Sequence, residues 1–306
     1  MSSLGWQVLV FGVTGVSLVV TAIRTWAMAR QPIHLRWELA PVPRLDARGR
    51  YGGSFLEEYE WWRQPRRHSR AAALIYIARE MFLLRSVWDR NRGLWPLTFA
   101  LHYGLYLTAG LSLGLTIHAV LLAAGLDPLA VRPLREGVSV LALLGYLLGG
   151  VGVVGLLLKR VLDPHLRPFS TISRYVNLLF LGAVFLSGAC AWLLSEDYVA
   201  EVTRFTGGLI GRGPGMAPGP LLSLHVAVSL LFLVYLPFTD MIHFIAKFFT
   251  YHAVRWDDRP QSGAMAGELK GLLRQPVSWS ASHVGSDGRK DWIDIASAEA
   301  GDGAAA

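Results

Sequence analysis

Five stretches of this chain are each apolar for about 20 residues or more: Leu4–Ile23, Leu94–Ala123, Gly137–Leu158, Tyr175–Leu194 and Leu221–Phe244. A helix rising ~1.5 Å per residue crosses the ~30 Å hydrocarbon core of a bilayer in about 20 residues. Inside lipid, helices and closed barrels are the structures that satisfy every backbone amide and carbonyl. The sequence therefore predicts an all-α integral membrane protein built on a five-helix transmembrane bundle. A mean hydropathy of +0.38, with 53% hydrophobic residues, agrees. A sixth apolar stretch, Ala71–Trp88, is interrupted by Arg79, Glu80 and Arg85 and reads as an interfacial helix.

The basic residues orient the bundle. Residues 24–93, between the first two spans, hold 14 Arg; residues 159–174 hold four Lys or Arg, and those after Phe244 hold seven, leaving only four of the 29 for the other two loops. Positive residues stay on the cytoplasmic side, which predicts an N-terminus outside and a large cytoplasmic loop over 24–93. No basic residue precedes the first span, so it lacks the charged start of a signal peptide. The net charge of +7 is then an orientation signal and calls for no nucleic acid. The expected organisation is a membrane domain over 1–250, with the loop 24–93, and a cytoplasmic tail over 251–306 whose end is disordered.

Chemistry begins with the histidines. Of nine, His34, His68, His165, His252 and His283 fall in polar segments, whereas His102, His118, His225 and His243 fall in two apolar ones. An ionisable group in a bilayer is costly and marks function, and imidazole is a good axial ligand for haem iron. The 18 residues from His225 to His243 rise ~27 Å and return to the same helix face at ~100° per residue. If spans two and five run antiparallel, His102 shares a depth with His243 near the cytoplasmic side, and His118 with His225 near the outer side. The reading is a membrane cytochrome b with two b haems, one above the other. His118 fits least well: 16 residues after His102, it stands about 160° away around an ideal helix. Gly104, Gly110 and Gly114 offer places where the helix could bend.

Cysteine usage narrows the carriers. The single Cys, Cys190, cannot hold an iron–sulfur cluster or a disulfide, and no Cys-x-x-Cys-His attaches a c-type haem. Iron–sulfur chemistry must then belong to a partner. The loop segment Tyr51–Trp62, with Trp61 and Trp62, and the tail segment Trp279–Ile295 carry the Trp, Tyr and apolar residues that anchor interfaces, which predicts that a cysteine-rich subunit docks there. Headgroup anchoring of the loop tryptophans is the simpler alternative.

The spacing of His225 and His243 in the fifth of five spans resembles the gamma subunit of respiratory nitrate reductase, a dihaem quinol-oxidising cytochrome b. The stretch Tyr51-Gly52-Gly53-Ser54-Phe55-Leu56-Glu57-Glu58 with Trp61-Trp62 more closely resembles a branch paired with heterodisulfide-reductase-like iron–sulfur proteins. Leu101–Tyr106, Asp163–Arg167 and Pro276–Gly285 look familial too. The resemblance implies His225 as outer-haem ligand and His243 as inner-haem ligand, with His102 opposite His243. The family's outer partner would fall at Ser112, so His118, six residues on, must substitute, and a one-haem form is the alternative. It further implies electron exchange between the quinone pool and a cytoplasmic partner, heterodisulfide-reductase-like or nitrate-reductase-beta-like, in a bacterial or archaeal cytoplasmic membrane. Arg132, Arg135 and Glu136 are candidates to hydrogen-bond a quinone carbonyl, with interfacial anchoring as the plainer role for the arginines. A haem-free dehydrogenase anchor would need no paired histidines. A transporter would show internal repeats and charge along a pathway, which spans one, three and four lack.

Overall fold

The computed structural model describes residues 2–30, 70–211, 217–247, 264–279 and 284–298. In chain order the helices are α1 (Ser3–Arg30), α2 (Arg70–Leu83), α3 (Arg85–Arg90), α4 (Trp95–Ala123), α5 (Arg132–Leu162), α6 (Ile172–Leu194), α7 (Tyr198–Leu209), α8 (Pro220–Tyr235), α9 (Ala264–Leu273) and α10 (Trp292–Ser297). No strand occurs among the described residues, and five segments are long and apolar enough to cross a membrane: α1, α4, α5, α6 and Pro220–Phe238. The five expected spans are therefore present, as a multi-pass membrane protein requires.

The chain forms two compact units, residues 1–25 with 70–246, and residues 26–69 with 247–306. In the first unit α5 packs through a stripe of small residues beside the buried Val138, Tyr146, Val153 and Leu156. On α5, Leu143, Leu147, Val151, Val154 and Leu158 are exposed, while Ala142, Gly145, Gly149 and Gly152 are buried. Each set recurs at three- and four-residue steps, so each is one face of the helix. A soluble helix would bury the large residues. Between lipid and protein both sides are apolar, so small residues go where helices must approach and large ones face the acyl chains.

The glycines show how tight the approach is. A Cβ at Gly152 would collide with the backbone of Leu101 on α4, one at Gly104 with the backbone of Gly149, and one at Gly149 with the ring of Phe185 on α6. Gly114 meets Val138 Cγ1 in the same way at 2.6 Å. α4 is one continuous helix, so the bend these glycines could have allowed does not occur, and Gly104 and Gly114 are contact points with α5.

The interfacial segment expected over Ala71–Trp88 is two helices, because Leu84 adopts the left-handed conformation at φ 48°. The buried Glu80 carboxylate caps α3, accepting from the Ser86 amide and hydroxyl at 2.8 and 2.7 Å. The last carbonyls of α2 would be orphaned, but aromatic side chains of α4 reach them. Tyr106 donates to Met81 at 2.8 Å, Tyr103 to Phe82 at 3.0 Å and Trp95 Nε1 to Leu83 at 2.9 Å.

Span five departs most from expectation. The sequence suggests one helix through Phe244, yet α8 stops at Tyr235, a 3-10 turn follows over Leu236–Phe238, and Thr239 is extended at φ −114°, ψ 171°. A second turn covers Asp240–Ile242 before the chain is helical again over 243–247. The cause is the buried Pro237, which has no amide to donate and crowds the preceding turn. His225 and His243 therefore do not share one helix face.

In the second unit α9 is followed by a chain reversal in which the Val277 amide donates to Lys290 and Pro276 bridges Asp291. Asp291 and Asp294 close a capping box on α10, and the rings of Trp279 and Trp292 meet edge-on at 5.8 Å. The loop residues 31–69, with Tyr51–Trp62 and the basic cluster Arg66–Arg70 up to Ser69, lie outside the described residues, as do 251–263 and 280–283 of the tail.

Candidate functional site

His102 and His243 are brought together. Their ring centroids stand 6.2 Å apart at an interplanar angle of 67°. His102 lies on α4, where Leu101 is pressed against Gly152, and its Nδ1 sits 2.8 Å from the Thr98 carbonyl oxygen one turn earlier. His243 follows the turn at Asp240–Ile242, and its Nδ1 sits 3.1 Å from the Asp240 carbonyl oxygen. A carbonyl oxygen only accepts, so Nδ1 is the protonated nitrogen in both rings and Nε2 carries the lone pair. This is the outer-shell arrangement by which proteins orient metal-ligating imidazoles.

The pair can be tested against an axially ligated iron. Two imidazole nitrogens on opposite sides of a metal, each at about 2 Å, hold their ring centroids about 6 Å apart. The observed separation matches, and the tautomers leave Nε2 of each ring with the lone pair a metal would take. His102 and His243 fit the role.

His118 and His225 do not meet in the same way. His118 is buried, and its Nδ1 lies 2.9 Å from the Thr203 hydroxyl on α7. The Nδ1 of His225 is 3.1 Å from the Ser187 hydroxyl on α6, and its ring stands edge-on to Tyr146 at 6.2 Å and 90°. Gly188 permits that approach, since a Cβ there would lie 2.5 Å from Tyr146 and 2.8 Å from His225. No hydrogen bond or ring contact joins His118 to His225. The continuous α4 leaves the two imidazoles of span two on nearly opposite faces, as 16 steps of ~100° require. Ser112 is exposed and donates to the Thr108 carbonyl at 2.9 Å.

The side chains expected to meet a quinone are already engaged. Arg132 pairs with Glu136 at 2.8 Å on the exposed surface, and Arg135 pairs with Asp197 at 2.6 Å. Asp197 also caps α7 by accepting from the Ala200 amide at 3.0 Å. Burial by itself raises the Asp197 carboxyl, but Arg135 and the Ala200 amide outweigh it and hold the group below the ordinary carboxylate range. Beneath this pair, the hydroxyls of Tyr146 and Tyr198 meet at 3.0 Å in the buried interior.

Sequence reasoning missed the residues that hold the paired histidine on the far side of the break. Asn177 of α6 is buried, donates to Asp240 Oδ1 at 2.5 Å and accepts from the Tyr235 hydroxyl at 2.7 Å. Two polar residues at span ends and a proline inside an apolar run were the available signs. Among the described residues no group of three or more His, Cys, Asp or Glu side chains converges as a non-haem metal site would need. Comparison of the chain with protein-family models, curated proteins and solved structures finds no match.

Proposed function

We propose that this chain is the cytochrome b subunit of a respiratory complex, exchanging electrons between the quinone pool and a cytoplasmic iron–sulfur partner. The observation that carries the reading is the His102–His243 pair, with matched tautomers and a separation suited to axial ligation of haem b. Bound there, haem would supply one-electron transfer at the cytoplasmic end of the bundle. The protein's own part is to hold two imidazoles in place. The Thr98 and Asp240 carbonyls fix the tautomers, the contact between Gly152 and Leu101 fixes the depth of α4, and the apolar helices exclude water.

The geometry favours one haem over two, since the rings of His102 and His243 stand 6.2 Å apart whereas no ring contact joins His118 to His225. The same parts serve either direction of electron flow, quinol to partner or partner to quinone. The bundle sits in a bacterial or archaeal cytoplasmic membrane with its N-terminus outside. The partner, heterodisulfide-reductase-like or nitrate-reductase-beta-like, docks on the cytoplasmic loop and tail, and its iron–sulfur centres complement a chain that has one cysteine.

A pyridine haemochrome assay with oxidised and dithionite-reduced spectra tests the reading. One b haem per chain with a low-spin spectrum is expected. No haem would leave a membrane anchor or a transporter, and two would show that His225 also finds a ligand. Partner docking is tested separately: Trp61→Ala with Trp62→Ala should release the partner and leave haem content unchanged. Retention of the partner by that variant with the tail deleted would place docking elsewhere.

A further inference from the structure

We propose that Asn177 is the positioning residue of the His102–His243 pair, acting on His243 through Asp240; the proposal rests on the haem-ligand reading of that pair. On the His102 side, continuous α4 fixes the backbone and the Thr98 carbonyl holds the ring. His243 is different. α8 ends at Tyr235, and Thr239 between them is extended, so helix periodicity does not determine where its imidazole lies.

Asn177 supplies what the broken helix cannot. Its amide grips the chain on both sides of Pro237, accepting from Tyr235, the last residue of α8, at 2.7 Å and donating to Asp240, the first of the next turn, at 2.5 Å. The main-chain carbonyl of Asp240 then lies 3.1 Å from His243 Nδ1. The line from α6 to the imidazole is thus Asn177, Asp240, His243. An amide in an apolar helix costs several hydrogen bonds' worth of desolvation unless it is satisfied. This one is satisfied at both ends by the segment that carries the ligand. The contact also has a direction, with an amide N–H donating to a carboxylate.

That direction makes the idea testable in the full-length protein. Asn177→Asp places two carboxylates face to face, whereas Asn177→Asp combined with Asp240→Asn restores the contact with donor and acceptor exchanged. Asn177→Ala removes the contact without adding charge. The readouts are haem per chain, the low-spin electron paramagnetic resonance signal, the midpoint potential, and thermal melting as a separate measure of the fold. Both single variants should melt as folded proteins, lose more than half of the low-spin signal and shift the potential of what remains. The exchanged pair should recover the wild-type signal and potential.

Wild-type signal and potential in both single variants would overturn the proposal. So would an exchanged pair that folds normally without recovering the signal. A wild-type protein without haem, or one whose haem is untouched by His243→Ala, would instead remove the haem-ligand reading and the proposal with it.

Discussion

The hydroxyl of Ser17 in α1 donates to the carbonyl of Leu233 in α8 at 2.6 Å. In an unbroken helix that carbonyl would accept from the amide four residues on, which is Pro237 and has none. α1 thus repairs the acceptor that the proline orphans, in a setting where an unsatisfied carbonyl is expensive. Gln7, ten residues earlier on the same helix, reaches the end of α7, donating from Nε2 to the carbonyls of Gly208 and Leu209 at 2.9 and 3.2 Å. α1 has a mostly apolar exposed surface and is tied to the bundle through carbonyls in the last turns of α7 and α8.

Ser17→Ala should lower stability by about 1–3 kcal/mol, the usual cost of leaving a buried acceptor unpaired, while Ser17→Thr should cost little. In the Pro237→Ala background an amide returns to residue 237, so removal of the serine hydroxyl should cost less. Thermal melting of the four proteins of this cycle in one detergent checks it. Equal losses in both backgrounds would show that the Ser17 bond is independent of the proline.

The glycine contacts should be sharply position-dependent. Gly152→Ala forces a methyl group into the Leu101 backbone, next to His102, and should cost about 1–3 kcal/mol from overpacking, together with a loss of bound haem. Gly150→Ala has nothing within 4 Å of the added carbon and should be neutral or stabilise by up to about 1 kcal/mol through helix propensity. Melting temperature and Soret absorbance of the two variants separate these outcomes.

Three of the four span histidines separate the ligand assignments. His102→Ala and His243→Ala should each abolish the low-spin haem spectrum. His118→Ala should keep the spectrum and lose about 1 kcal/mol of stability as Thr203 loses its partner. Haem content measured on all three decides whether the ligands are the two that meet or include His118.

Acid should loosen the start of α7. The Asp197 carboxyl is held below its ordinary value by Arg135 and the Ala200 amide despite its burial. A carboxyl with a depressed folded-state pKa contributes stability above its unfolded value, near 4, and loses it as pH falls through the folded value. Stability between pH 7 and 5 should therefore be insensitive to this group, with loss beginning below about pH 4. Asp197→Asn should be less stable at neutral pH and show a flatter acid limb in melts from pH 7 to 3. A parallel acid limb in the variant would assign the loss to other carboxyls.

Much of this was legible in the chain. The five spans follow from runs of apolar residues, because hydrogen-bond satisfaction in lipid is a local requirement that a helix meets by itself. The opposed faces of His102 and His118 follow from helical periodicity, and α4 keeps that period from end to end. The stripe Gly145, Gly149 and Gly152 went unread, although small residues at three- and four-residue steps mark a packing face in a membrane helix.

What tertiary structure alone decided is where His243 goes. Pro237 announces a break, but a break has no preferred direction until something outside the segment holds its ends. Here Ser17 takes the orphaned carbonyl and Asn177 ties Tyr235 to Asp240, each from a helix distant in sequence. The engagement of His118 by Thr203, 85 residues away, is a contact of the same kind. Local periodicity fixes the face a residue occupies on its own helix, whereas the group it meets depends on how separate helices pack, and that is set by contacts no single segment contains.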